Sequence, residues 1–241
     1  MKKENKKELY NLYQSTHFGF IRAEAGRQNK DRAFDAYYGS VLPKEKTDKI
    51  VDIACGSGDF LSWLKNKGYN NIFGIDISKE QIERARKNIG NNEVEMRDVF
   101  EFLKDKKDNF DMIIALDLIE HLEKEEILEL LRLIYEALKT SGRLLLSVPN
   151  AETLFAGSIL YGDFTHEIAF TRASLSQVLR LNGFQEIKFL KTEPIVHGFK
   201  SFVRFLIWKA IKQLIKIYFL AETGSVGSRG YSQTLSFLAV K

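Results

Sequence analysis

Acids recur at regular places along the first half of this chain, each where an apolar run gives way to a polar one. Asp52 sits inside Lys49-Ile-Val-Asp-Ile-Ala-Cys-Gly-Ser-Gly-Asp59, four residues before the first glycine of that stretch. Asp76 lies in Gly74-Ile-Asp-Ile-Ser78, Asp98 in Arg97-Asp-Val99, and Asp117 follows Leu116. A carboxylate in a buried strand end is costly unless backbone amides or a cation meet it. Gly56 and Gly58 would let a ligand approach the backbone, and a helix opening behind them would offer unpaired amides. Asp76 could then accept the hydroxyls of a ribose and Asp98 the amino group of an adenine. Leu116 and Asp117 would face the reactive end. The set predicts a nucleoside cofactor that carries positive charge.

The bland readings are a tight strand-to-helix turn for the glycines, a helix-start acid for Asp76 and a loop acid for Asp98. Their recurrence at successive strand ends favours the site. A dinucleotide fingerprint would need glycine at position 61, where the chain has Leu61, and has no use for Asp52.

Such placement requires strands that end together. The pattern predicts strands at Lys49–Cys55, Asn71–Ile77, Val94–Asp98, Phe110–Leu118 and Arg143–Pro149. Helices are predicted at Asp59–Lys67, Lys79–Ile89, Val99–Asp105 and Lys124–Lys139, with a Ser141-Gly142 turn after the last. Strand and helix in alternation call for a mostly parallel sheet covered on both faces, with ligands at the carboxyl ends of the strands. Further on, a helix over Arg172–Asn182, a strand over Ile187–Glu193 and a last strand over Gln233–Val240 complete the fold. The expected division is an N-terminal helical lid, residues 1–48, with helices at Lys3–Tyr13 and Gln28–Tyr38, and a second unit over 49–241.

Bulk properties exclude several classes. At 241 residues with 44% hydrophobic and 28% charged content, the chain is an ordinary globular one. A net charge of +4 is too mild to argue for nucleic acid. A single cysteine, Cys55, rules out an internal disulfide and fits a reducing, cytoplasmic setting. The polar start Met1-Lys-Lys-Glu-Asn-Lys-Lys-Glu8 carries no secretory pattern, and no apolar run reaches the length of a membrane span.

Val51-Asp-Ile-Ala-Cys-Gly-Ser-Gly58, the Gly-Ile-Asp-Ile-Ser turn, Asp98 and Asp117-Leu-Ile-Glu-His-Leu122 resemble the class I S-adenosylmethionine-dependent methyltransferases over roughly residues 45–190. The resemblance implies a Rossmann-like seven-stranded sheet with its last strand antiparallel. It implies S-adenosyl-L-methionine as cofactor, with Asp52, Gly56 and Gly58 at its amino-acid and sulfonium end, Asp76 at the ribose and Asp98 at the adenine. Cys55, Ile77, Val99 and Leu116 complete the cofactor set. Ala54 departs from the glycine most common there; a methyl group is small, so binding should survive it.

Methyl transfer needs an aligned acceptor and, for a hydroxyl, a base. His166, in Gly162-Asp-Phe-Thr-His-Glu167, is the expected base, with Asp117 and His121 as further catalytic candidates. The loop is similar to acceptor-side motifs of quinone-precursor and surface-glycan methyltransferases. The alternative for His166 is a structural role against Asp163 or Glu167. Asp117, Glu120, His121 and His166 could also ligate a metal, in likeness to some 2′-O- and quinone-pathway methyltransferases. The reading adopted is metal-free, with Glu120 and His121 shaping the start of a helix. His17 and His197 receive no role. The expected acceptor is a hydroxyl of a small molecule, a sugar or glycan precursor. The alternatives are a lipid or quinone precursor at a membrane surface and a non-catalytic cofactor-binding subunit.

Between the last two strands lies an insertion, about 197–221. Phe199, Phe202, Val203, Leu206, Ile207, Ala210, Ile211, Leu214, Ile217 and Tyr218 recur there at helical spacing, and the charges to position 220 are all basic. A helix on the sheet or in a dimer contact is expected; the alternative is peripheral contact with an anionic membrane through 199–220. Tyr10, Tyr13, Phe18, Phe20, Tyr37 and Tyr38 are expected as an acceptor-side lid, or for the last two as core.

Overall fold

A computed structural model describes Leu9 and residues 27–226 and 230–241. Apart from Leu9, the expected helix at Lys3–Tyr13 lies outside the described residues, as do His17 and the aromatics Tyr10, Tyr13, Phe18 and Phe20. In chain order the elements are α1 (Arg27–Tyr38), a short 3₁₀ turn (Gly39–Val41), β1 (Ile50–Asp52), α2 (Asp59–Asn66), β2 (Ile72–Asp76), α3 (Lys79–Ile89), β3 (Val94–Met96), α4 (Val99–Leu103) and β4 (Phe110–Leu116). A 3₁₀ turn (Ile119–His121) leads to α5 (Lys124–Ala137), β5 (Leu138–Pro149), α6 (Ala156–Leu160), α7 (Arg172–Leu181), β6 (Glu186–Leu190), α8 (Phe199–Thr223) and β7 (Thr234–Val240).

The strands form the expected Rossmann-like sheet, in the order β3-β2-β1-β4-β5-β7-β6. β1 to β5 run parallel, and β7 is antiparallel to both β5 and β6. The carboxyl ends of β1 to β5 therefore share one edge. β6 runs with β5, so it ends at that edge too, and β7 starts there. The inserted segment 191–233 leaves and returns on the edge where the acids lie.

Alternation along β4 shows why its sequence is unbroken in hydrophobicity. Ile113 points into one buried cluster with Val51, Leu144, Leu130 and Ile134. Met112 and Ile114 point into the other, with Ile50, Leu61, Leu64 and Ile82. Successive strand residues face opposite sides, and both sides are covered by helices, so neither position tolerates a polar group.

α1 lies against α2: the Phe34 ring meets those of Phe60 and Trp63, and Asp35 accepts from the Trp63 indole at 3.0 Å. Tyr38 is core, buried with its hydroxyl 3.1 Å from Ser236 Oγ. Tyr37 is half-buried and donates to the Glu193 carbonyl at 2.8 Å. Local boundaries depart from the sequence pattern in several places, among them β6, which ends at Leu190 rather than Glu193. β1 stops at Asp52 because the chain turns from Ile53 onward. Ser141, at φ +62°, and Gly142 sit as an irregularity inside β5 rather than as a loop before it. α6 arises in a stretch for which the pattern predicts no helix.

α8 is 25 residues long and closes on Gly224 in the left-handed region, whose amide donates to Leu220. Ser201 and Ile215 are buried, and Phe205, Trp208, Lys212, Lys216 and Phe219 half-buried, so one stripe packs against the body. The opposite stripe is exposed. No helix among the described residues is long and apolar enough to cross a membrane.

Candidate active site

The turn after β1 is built by glycine. Gly58 has φ +75° and precedes α2, and a side chain there would press on Ala85 Cβ at 3.2 Å. Gly74 in β2 faces the same crowding: an added Cβ would stand 2.4 Å from Leu61 Cδ1 and 2.9 Å from Cys55 Cβ. The sequence reading passed over Gly74; its only local signal is a glycine inside a strand pattern.

Asp52 is 2% exposed, and its Oδ1 has no hydrogen-bond partner. The carboxylate takes the Ala54 amide, but burial outweighs that bond and pushes its pKa up to about 7. An acceptor in this condition suits a cationic group. Ala54, at the position of the missing glycine, thus supplies Asp52 with an amide.

Asp76 is engaged differently from the expectation of a carboxylate waiting for a ribose. Oδ2 accepts the Gly56 amide at 2.9 Å and Oδ1 the Ser78 amide at 2.8 Å. Burial raises its pKa and these amides oppose the rise. Each oxygen retains acceptor capacity, so the acid can brace the turn and still meet a ligand. Ile77 beside it is 37% exposed, an apolar surface at the edge. Asp98 caps α4, with Oδ1 accepting from Phe100 at 2.9 Å and Glu101 at 3.2 Å. Sequence reasoning missed the cap, although an acid before a short helix is its usual signal. Val99 is buried, and Leu116 half-buried at the end of β4. Cys55 is buried, its thiol pushed well above the ordinary range by burial and then by Asp52.

Asp117 follows with φ +53°, exposed at the sheet edge, its Oδ1 accepting from Ser147 Oγ at 3.1 Å. A non-glycine residue in the left-handed region at a strand end is a strained feature of the kind found at functional sites. Beyond it, Glu120 is 1% exposed and neither carboxylate oxygen has a partner. Burial first, then Asp117, raise its pKa well above the carboxylate range.

The loop carrying His166 is tied to this point. The Glu120 carbonyl accepts from the amides of Glu167 at 2.8 Å and Ile168 at 3.2 Å. Thr165 Oγ1 donates to Asp163 Oδ1 at 2.6 Å, so its 2.8 Å contact with His121 Nδ1 is one in which the imidazole donates. His166 Nδ1 lies 3.0 Å from the Leu160 carbonyl, which can only accept, so Nε2 carries the lone pair of the neutral ring. The His121 and His166 rings are 4.8 Å apart between centroids. Asp163 Oδ1 accepts from the Thr165 amide and hydroxyl, its carbonyl accepts the His166 amide at 3.3 Å, and the His166 ring meets the Leu160 carbonyl at the end of α6.

Glu120, His121 and His166 are the described residues whose ligating atoms gather within 4.8 Å, a donor set suited to a first-row divalent ion. Asp117, the fourth member of the expected set, is not in that group. His197 lies apart, on the loop before α8; its amide donates to Ser201 Oγ at 2.8 Å.

The methyltransferase-domain family matches residues 21–188. A 27-O-demethylrifamycin SV methyltransferase of Amycolatopsis mediterranei is 30% identical over 111 residues, which cover 44% of this chain and 40% of that protein. A phosphoethanolamine N-methyltransferase of Plasmodium falciparum is 32% identical over 113 residues, covering 45% of this chain and 41% of the other. Among solved structures, an S-adenosylmethionine-dependent methyltransferase from Archaeoglobus fulgidus superposes with a TM-score of 0.68 at 22% identity, covering 96% of this chain and 99% of that one. The chain spans about two fifths of the length of the curated relatives it matches.

Proposed function

Given that the chain belongs to the class I S-adenosylmethionine-dependent methyltransferases, we propose that it methylates a hydroxyl of a small molecule, a sugar or glycan precursor. The cofactor supplies a methyl group on positively charged sulfur, open to in-line displacement. Asp52 fits such a molecule because its buried Oδ1 is bare and would gain from a cation. Gly56 and Gly58 would let the amino-acid end approach the turn, Asp76 would take the ribose, and Asp98, through the oxygen its cap leaves over, the adenine. Ile77, Val99 and Leu116 would line the apolar part.

The observation that carries the hydroxyl reading is the orientation of His166. A neutral amine can attack through its own lone pair, whereas an alcohol must lose a proton as it attacks. His166 Nδ1 is committed to the Leu160 carbonyl, so Nε2 would receive that proton. His121, fixed through Thr165 and Asp163, packs against the His166 ring and would hold it in place. Asp117 would line the acceptor side at the end of β4. A binding-only subunit has no use for an imidazole held in one tautomer.

A cytoplasmic setting belongs to the same proposal, in keeping with a sole cysteine that is buried and forms no internal disulfide. The test is transfer of a radiolabelled methyl group to panels of hydroxyl and amine acceptors. Hydroxyl products formed by the native chain and lost in His166→Ala are the expected result. Transfer to amines alone overturns the reading.

A further inference from the structure

We propose that α8 is a membrane-surface helix that docks the protein on an anionic lipid bilayer, at the sheet edge where the acceptor enters. At about 100° per residue, the buried and half-buried positions Ser201, Phe205, Trp208, Lys212, Ile215, Lys216 and Phe219 fall on one side of the helix, with Lys216 at its margin. The side opposite is apolar and faces water: Phe199, Leu206, Leu214 and Ile217 are 83%, 48%, 67% and 62% exposed. A helix meant only to pack on the sheet has no reason to carry a second apolar face.

Charge says what that face meets. Lys200 and Arg204 flank it on one side, Lys209 and Lys216 on the other, and Glu222, near the end, is the sole acid in the helix. Lys212 is turned inward onto Glu193. An apolar ridge between two basic margins is the arrangement of a helix lying in a bilayer interface, with its cations at the headgroups. A second copy of the helix would lay basic margin on basic margin with only Glu222 to offset them. Spanning is excluded for this helix by its hydropathy.

Topology sets where the helix is anchored. Segment 191–233 leaves β6 and enters β7 at the edge that carries Asp52, Asp76 and Asp117, and Lys212, at mid-helix, is held by Glu193 just beyond β6. Docking by this ridge would hold that edge near the lipid surface. Resting on the proposed hydroxyl methylation, it narrows the acceptor to an amphiphile held at the interface.

Flotation with phosphatidylcholine vesicles, with and without phosphatidylglycerol, tests this directly and needs no turnover. The native chain should float only with the anionic vesicles. Each cation near such a surface strengthens partition by about fivefold, so Lys209→Gln with Lys216→Gln should weaken it by about twenty-five-fold. Leu214→Ser with Ile217→Ser should abolish it. Cofactor affinity by calorimetry, unchanged in both double variants, shows that the fold survives and keeps this result separate from the methyltransferase reading. A native chain that stays unbound with phosphatidylglycerol overturns the proposal. So does a dimer, by light scattering, that the Leu214→Ser and Ile217→Ser pair dissolves in the absence of vesicle binding.

Discussion

Asp76 accepts the backbone amide of Gly56 at 2.9 Å, so the acid that ends β2 holds the glycine turn that follows β1. The same carboxylate takes the Ser78 amide. One side chain thus shapes two of the loops that would surround the cofactor.

Asp76→Ala should therefore weaken cofactor binding at least about tenfold, and should also cost stability. Two amides lose their acceptor, at about 1–3 kcal/mol for each left unsatisfied. Calorimetry and urea unfolding give both quantities. Native affinity in the variant would remove Asp76 from the site.

Asp52 gives a pH dependence with a definite sign. Its folded pKa, about 7, stands above the unfolded value near 3.9. The folded state therefore binds the extra proton between those values, and this group's contribution to stability falls as pH rises through that window. Cofactor binding runs the other way. A cationic ligand selects the ionised carboxylate, so affinity should rise by about tenfold per unit as pH climbs toward 7, with proton release on binding. Calorimetry in buffers of different ionisation enthalpy reads the released proton. A slope that persists unchanged in Asp52→Asn would assign it to another group.

His166→Ala should lower kcat by about a hundredfold or more while cofactor affinity holds, the range of a lost general base. Single-turnover kinetics separate this from slow product release. Turnover at the native rate would leave His166 with its structural bond to Leu160 alone.

Gly74→Ala should destabilise by about 1–3 kcal/mol, because the new methyl meets Leu61 and Cys55 in a packed core. Thermal unfolding reads the loss, and Leu61→Ala in the same chain should recover part of it. A variant as stable as the native chain would mean the strand shifts freely there.

The sheet was legible in the sequence because its signal is local. The strand through Met112, Ile113 and Ile114 is buried on both faces, and that leaves an unbroken apolar run. The acids at strand ends were legible for the same reason. What escaped depends on partners far along the chain. Thr165, joining Asp163 to His121 across 44 residues, leaves no local pattern, and neither does the burial of Glu120 beneath the loop whose amides its carbonyl accepts. The β5 boundary failed differently: Ser141-Gly142 reads as a turn, yet pairing with β4 on both sides absorbs it as a bulge.

Leu190 pairs with Ser236 on adjacent antiparallel strands, so the two ends of segment 191–233 stand side by side. A hairpin of a few residues could join them with the sheet intact. The residues assigned to the methyl donor all precede Leu118, and none belongs to that segment. The residues proposed for the donor and the helix proposed for the lipid surface thus lie on separate stretches of chain, and replacing segment 191–233 by such a hairpin should leave cofactor affinity in place while removing vesicle binding.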